Sequence, residues 1–335
     1  MLKFDEKKYL QLAEETVAHR KEIEGIADNI SESGFENIFF ISSGGSVAIM
    51  FPYEKIIKRL SKIPVFTEIA GEIVLTGNQQ LTKNSLVITA SKSGDTKETV
   101  KAIEYCKEKN IRVVSFVGDV DSKLAHLSDY VIHDHSPEVE HSYMNFHYFI
   151  FRILKNAGDF KEYDKFVKQL EKLPELLVQV KKEFDPTAQK IAKVHHKDPY
   201  QIWVGGGLTW GDVYLFSMCV LEEMQWIRTK SVTSAEFFHG TLEIVEEDVP
   251  VFLVKGEDET RPLDDRVEKF LNDYTEKGTI IDTKDFALEG IDNEFRKYIS
   301  PLIIETILTE RLAVQFEHRT GHDLDFRRYY RQFDY

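Results

Sequence analysis

Two hydroxyl-rich turns and one glutamate–histidine pair are where this sequence concentrates chemistry. The first turn, Ala90-Ser91-Lys92-Ser93-Gly94-Asp95-Thr96, follows an apolar run and opens a helical pattern. A helix N-terminus offers unpaired N–H groups to an anion, Ser91, Ser93 and Thr96 add hydroxyl donors, and Gly94 permits close backbone approach. Lys92 adds positive charge there, or is the solvated lysine of an ordinary turn. The other turn, Ser43-Gly44-Gly45-Ser46, ends a strand expected to neighbour the first, so Gly45 and Ser46 supply further donors. Serine and threonine also cap helices without any ligand, but two such turns in one half favour a phosphate site. Neither turn has the Gly-Lys-[Ser/Thr] of a Walker loop or the Gly-x-Gly-x-x-Gly of a dinucleotide turn. ATP and NAD are therefore disfavoured, and a small phosphorylated metabolite fits better.

The acid–base candidates lie further on. Glu223 closes an otherwise apolar helical run (Tyr214, Leu215, Met218, Cys219), where a carboxylate is either a solvated helix end or a proton-transferring base. His239, in Ser234-Ala235-Glu236-Phe237-Phe238-His239-Gly240, sits between aromatics and a glycine, as a packed turn histidine or an acid–base group would.

These residues need a scaffold, and strands alternating with helices supply one. Apolar residues from Leu10 to Ile30 recur at helical spacing. Strands are expected at Asn37–Ser42, Val65–Glu68, Leu86–Ala90, Arg112–Val117 and Tyr130–His133, with a helix over Thr96–Lys109. From about Glu140 to Lys197 the pattern is helical until the turn signal Asp185-Pro186. Ile202-Trp203-Val204-Gly205-Gly206-Gly207 then restarts the strand–glycine–helix pattern, with a helix expected over Thr209–Ile227. Glu72 and Glu236, Thr96 and Thr260, and Leu86 and Pro250 are each 164 positions apart. The sequence thus reads as two copies of one parallel α/β sandwich, Met1 to Lys155 and Asn156 to Tyr335, each with a five-stranded sheet. Only the first copy keeps the hydroxyls; the second has Lys255-Gly256-Glu257-Asp258-Glu259, which repels phosphate.

Composition narrows the classes. The 335 residues carry 43 basic and 57 acidic side chains, a net charge of −14, so a nucleic-acid coat or basic membrane anchor is disfavoured. No stretch approaches the roughly 18–20 apolar residues of a membrane span. Cys106 and Cys219 form no disulfide framework, and Met1-Leu2-Lys3-Phe4-Asp5 lacks the apolar core of a signal peptide. A soluble, acidic, cytoplasmic protein is expected.

Ser43-Gly44-Gly45-Ser46, Ser91-Lys92-Ser93-Gly94-Asp95-Thr96 and Ala235-Glu236-Phe237-Phe238-His239-Gly240 resemble the motifs of sugar isomerase (SIS) domains. Two in tandem resemble the isomerase half of glucosamine-6-phosphate synthase, and more closely the fructosamine-6-phosphate deglycases (fructoselysine- and glucoselysine-6-phosphate deglycases). That likeness runs through Ala48-Ile49-Met50, Glu223-Met224-Gln225-Trp226-Ile227, Asp258-Glu259-Thr260-Arg261-Pro262-Leu263, Arg327-Arg328-Tyr329-Tyr330 and Asp334-Tyr335. The chain departs from it with Ser42-Ser43-Gly44 where members often have Ala-Cys-Gly, and with His239-Gly240-Thr241 where they have His-Gly-Pro. No cysteine–glutaminase domain precedes the pair, and Val220 stands where the synthase has a lysine. Both differences favour a deglycase.

The resemblance implies a 6-phosphorylated Amadori substrate and no metal or organic cofactor. Glu223 would move a proton between C1 and C2, and His239 would open the sugar ring. The separation of 16 residues agrees with the family's own. Ser91, Ser93, Thr96 and Ser46 would hold the 6-phosphate, with Gly45, Lys92 and His322 as further substrate contacts. The family histidine serves a neighbouring subunit's site, so a homodimer is implied. The tail, with Arg319, His322, Arg327, Arg328 and Arg331, is expected to fold over an active site or the dimer partner, where an arginine could meet a substrate carboxylate. The alternatives are an aldose–ketose or amino-sugar phosphate isomerase and a non-catalytic phosphosugar sensor. His133-Asp134-His135 with Glu138, Glu140 and His141 mimics a metal cluster, but its spacing fits no zinc signature, and a polar loop is expected.

Overall fold

The computed structural model describes residues 1–333; Asp334 and Tyr335, part of the expected tail motif, lie outside the described residues. The chain divides into two compact units, one of Asp5–Pro174 and one of Met1–Phe4 with the chain from Glu175 onward. The boundary expected at Lys155/Asn156 therefore falls within the first unit.

In the first unit, β1 (Asn37–Ser42), β2 (Val65–Ile69), β3 (Ser85–Ser91), β4 (Arg112–Val117) and β5 (Tyr130–His133) form one parallel sheet in the order β2-β1-β3-β4-β5. All residues of β1 and β3 are buried, as strands covered on both faces must be. The coverings are α1 (Glu6–Ser33), α2 (Gly44–Ala48), α3 (Phe51–Leu60), α4 (Ala70–Thr76), α5 (Lys97–Glu108), α6 (Lys123–Leu127), α7 (Val139–Asn156) and α8 (Tyr163–Leu170). The long α1 packs along α7, which is buried on every face over most of its length and stacks Phe146 on Phe116 of β4 at 3.9 Å.

The second unit repeats the plan. After α9 (Leu173–His195) come β6 (Tyr200–Gly205), α10 (Trp210–Leu215), β7 (Arg228–Thr233), β8 (Val251–Lys255), α11 (Arg261–Tyr274), β9 (Gly278–Asp282), α12 (Asn293–Ile307) and α13 (Ala313–Thr320). The sheet order is β7-β6-β8-β9, all parallel. The repeat is visible in the pairing: Ile38 stands beside Leu86 in the first sheet, and Ile202 beside Val251 in the second.

Three expectations need correction. The second sheet has four strands among the described residues, not five. Where the first copy continues with the β-branched run Tyr130-Val131-Ile132-His133, the second has a 3₁₀ turn at Thr283–Asp285 and Gly290 at φ 85° before α12. Asp185-Pro186 ends no helix but lies inside α9, with the Asp185 carboxylate taken up by Arg311 at 2.6 Å and Gln315 at 3.2 Å. The helix expected over Thr209–Ile227 is instead a 3₁₀ turn, α10, and a π-helical segment from Phe216 to Glu222. Among the described residues no helix is long and apolar enough to cross a membrane.

Candidate active site

In an open parallel sheet, ligands bind outside the carboxyl ends of strands where the winding reverses. In the first unit that point lies between β1 and β3. Both hydroxyl-rich turns leave the sheet there, and Ser42 Oγ donates to Ala90 O at 2.8 Å across the gap. In the turn after β3, Ser91 Oγ lies 3.1 Å from Thr96 Oγ1 and accepts the Gly94 N–H at 3.1 Å. Ser93 Oγ bonds the Asp95 carboxylate. Gly94 is required: its φ is +65°, and a Cβ would come within 2.0 Å of Ser122 Oγ. Thr96 precedes α5 yet makes no cap bond, so the ordinary reason for a threonine there does not apply. Gly45 and Ser46 lie in α2, after a Ser43 that also makes no cap bond. Ser46, Ser93 and Thr96 are half-buried and Ser91 is buried. The structure thus brings Ser91, Ser93 and Thr96 into one turn, at a strand end beside that of Gly45 and Ser46.

Lys92 does something else. Its Nζ donates to Asp134 O at 2.8 Å and to Ser136 O, which ties the turn to the loop after β5. That loop is the run that mimicked a metal cluster; Glu138 and Glu140 bring carboxylate oxygens within 4.8 Å of each other and the His133 and His135 rings lie 5.7 Å apart, while the others bond elsewhere. Asp134 accepts from Asn145 and Ser142, His141 Nδ1 meets Ser136 Oγ at 2.7 Å, and His135 faces His19 on α1.

The equivalent crevice of the second unit, between β6 and β8, already holds an anion, its own. The buried Asp258 carboxylate accepts Leu208 N–H at 2.5 Å, Thr260 N–H at 2.8 Å and the Thr260 hydroxyl at 2.5 Å. Gly207, at φ +53°, makes room for it, since a Cβ would stand 2.1 Å from Asp258 Oδ2. Glu257 pairs with Arg296 at 2.7 Å and Glu259 with Lys297 at 2.5 Å.

Glu223 follows the π-helical segment, and its own N–H reaches back five residues to Met218 O at 3.1 Å. Its side chain, 32% exposed, pairs through Oε1 with Arg327 Nε at 2.9 Å. The same short motif is grasped at two more places by the tail. Gln225 Nε2 donates to His322 O at 2.7 Å while Thr320 Oγ1 donates to Gln225 Oε1 at 2.9 Å. Trp226, in a left-handed conformation at φ 56°, meets the His322 ring at 4.3 Å and carries the Arg328 guanidinium over its face at 4.0 Å. Arg327 and Arg328 thus turn to the glutamate motif of their own unit, while Arg331 lies over Tyr330.

His239 is exposed, on the loop that leaves β7, and Gly240 behind it has φ 134°. The loop is pinned at its root by Ser234, whose hydroxyl bonds the buried Asp264 carboxylate of α11. Burial pushes Asp264 up to about 7; the Ser234 hydrogen bond lowers it and nearby Asp258 raises it further. Sequence reasoning missed Asp258 and Asp264 as site-shaping groups, and Arg327 as the partner of Glu223. The offset between Thr96 and Thr260 was a signal for Asp258, since it marks the residue facing the copied turn.

A doubly wound sheet with a hydroxyl-lined turn at its switch point has the geometry of a small-anion site. Residues 33–150 match the SIS domain. Over 97% of its length the chain is 29% identical to fructosamine deglycase FrlB of Bacillus subtilis, all of which is covered. Fructoselysine 6-phosphate deglycase of Escherichia coli is 23% identical over 92% of this chain and 89% of the relative. Among solved structures, a candidate phosphosugar isomerase of Bacillus subtilis superposes with a TM-score of 0.90 at 29% identity, covering 96% of this chain and 100% of the other. Another from Salmonella typhimurium gives 0.88 at 26% identity, covering 94% and 99%.

Proposed function

We propose that the chain is a deglycase of 6-phosphorylated Amadori compounds, built from two SIS domains and working as a homodimer. The observation that carries this reading is the uncapped turn of Ser91, Ser93 and Thr96 at the switch point, in a chain similar from end to end to a fructosamine deglycase. Ser91, Ser93, Thr96 and Ser46 hold the 6-phosphate through hydroxyl and backbone donors.

A ketosamine has a saturated C1 bearing the amine and a carbonyl at C2, so water cannot displace the amine directly. His239, from a neighbouring subunit, protonates the ring oxygen and opens the sugar. Glu223 removes a C1 proton, and the C2 carbonyl oxygen gains one, giving a C1=C2 enaminol. Returning a proton to C2 leaves a C1=N imine. Water adds at C1, the C–N bond breaks with its electron pair going to nitrogen, and hexose 6-phosphate and free amine result. Each acid–base step of this kind supplies about 10²–10⁴-fold.

Fructoselysine 6-phosphate is the substrate these steps suit; glucoselysine 6-phosphate, with its amine on C2 and its carbonyl at C1, would use the same proton shuttle in the opposite sense, through a C2=N imine. An aldose–ketose isomerase would use the same proton shuttle without losing the amine, and a sensor would need neither group. Incubation with a panel of 6-phospho-fructosamines, assayed for glucose 6-phosphate and amine, separates the three. Release of both products supports the deglycase, sugar interconversion alone supports the isomerase, and binding without turnover supports the sensor.

A further inference from the structure

We infer that Arg327 is the residue that positions Glu223. The inference rests on Glu223 being the proton-transfer group proposed above.

A general base must hold its lone pair within a fraction of an ångström of the proton it removes. Glu223 follows a π-helical segment with its side chain a third exposed, so its own helix does little to fix it. Arg327 supplies what is missing. Its Nε binds Oε1 at 2.9 Å, and among the described residues no hydrogen bond engages Oε2, which stays available to a substrate proton. The arginine is itself immobilised, because Nη1 donates to Leu324 O at 2.6 Å and Phe326 O at 3.0 Å.

The segment carrying it is anchored in turn. Gln225, two residues after Glu223, receives the Thr320 hydroxyl and donates to His322 O, and Arg328 lies on Trp226. Leu324 N–H donates to Glu317 Oε1 at 3.2 Å at the end of α13. A partly exposed ion pair adds only about 0–1 kcal/mol to stability. Stability therefore gives no reason for so many contacts converging on Glu223, Gln225 and Trp226; precise placement of one carboxylate does.

The test is steady-state kinetics of Arg327→Ala, Arg327→Lys and Glu223→Gln on a 6-phospho-fructosamine, with circular dichroism as the folding control. Arg327→Ala should lower kcat by about tenfold to a hundredfold with KM within about threefold. Guanidinium at tens of millimolar should restore part of the lost kcat, where sodium chloride at equal ionic strength does not. Arg327→Lys, a point charge without the fork, should recover less than the wild-type rate. In the Glu223→Gln background, Arg327→Ala should cost nothing more, because it acts through the lost carboxylate. An inactive Glu223→Gln beside an unaffected Arg327→Ala would overturn this inference alone. So would a raised KM at unchanged kcat, which would make the arginine a substrate contact. An active Glu223→Gln would remove the base assignment itself.

Discussion

The Asp258 carboxylate accepts the Leu208 N–H at 2.5 Å, and so lies in the second unit where an anionic ligand would lie in the first. In the second unit a side chain fills the turn that the first unit leaves open. Asp258→Ala would leave the Leu208 and Thr260 donors unsatisfied in a buried turn, at a cost of about 1–3 kcal/mol each for groups that water cannot reach. Thermal melting should show a lowered Tm for the variant. Phosphate or sulfate at tens of millimolar should recover more of that loss in the variant than it adds to the wild type. Equal gains in both proteins would mean that the turn is no anion cradle.

Ser93→Asp places a negative charge in the turn of the first unit, where a phosphate would have to enter. Calorimetric titration with glucose 6-phosphate should show binding in the wild type and none in the variant, whose circular dichroism should be unchanged. Undiminished binding would move the phosphate elsewhere.

Glu223→Gln keeps the shape of the side chain but cannot accept a proton, and should lower kcat far more than it weakens binding. His239→Ala should be equally inactive. His239 is exposed in its own chain, as a residue serving a neighbour would be. Mixing the two dead proteins should therefore restore activity toward about one quarter of wild type, since random pairing makes half the dimers mixed and half their sites whole. No recovery after verified subunit exchange would exclude a shared site.

Asp264 gives a pH signature. Its folded-state value, about 7, lies above the ordinary 3.8, so between these values the native chain keeps a proton that the unfolded chain releases. The stability it contributes is full below pH 3.8 and falls as pH rises toward 7, by at most about 1.4 kcal/mol per pH unit. Asp264→Asn keeps a polar partner for Ser234 without the titration. The Tm of the variant relative to wild type should therefore climb between pH 4 and pH 8. A difference that stays flat across that range would refute the assignment.

Much of this was legible in the sequence. Asn37–Ser42, Arg112–Val117 and Tyr130–His133 are strands at the expected bounds, because each is a compact apolar or β-branched run between turn signals. The strand before the Ser43 turn was expected to neighbour the strand before the Ser91 turn, and β1 pairs with β3. Other features depend on hydrogen-bond geometry that residue types do not encode. The apolar run from Tyr214 to Leu221 serves an α- and a π-helix equally well. Thr96 has the same identity whether or not it caps α5. The hold of Arg327 on Glu223 spans 104 positions of chain, and nothing local at either end announces it.

The π-helical segment carries a consequence for the rotational phase of everything after it. Bonds such as Glu223 N–H to Met218 O and Gln225 N–H to Val220 O close rings one residue wider than an α-turn. Such a segment behaves as an α-helix with a residue inserted. Deleting one residue, for instance Cys219, would let the ordinary winding resume with little loss of helix. Glu223 would keep its face, since the wide turn already absorbs the roughly 100° that one residue subtends. Tightening the segment to ordinary α winding at unchanged length would instead turn the carboxylate by about 100° away from Arg327, so the wide turn, and not composition alone, sets where Glu223 points.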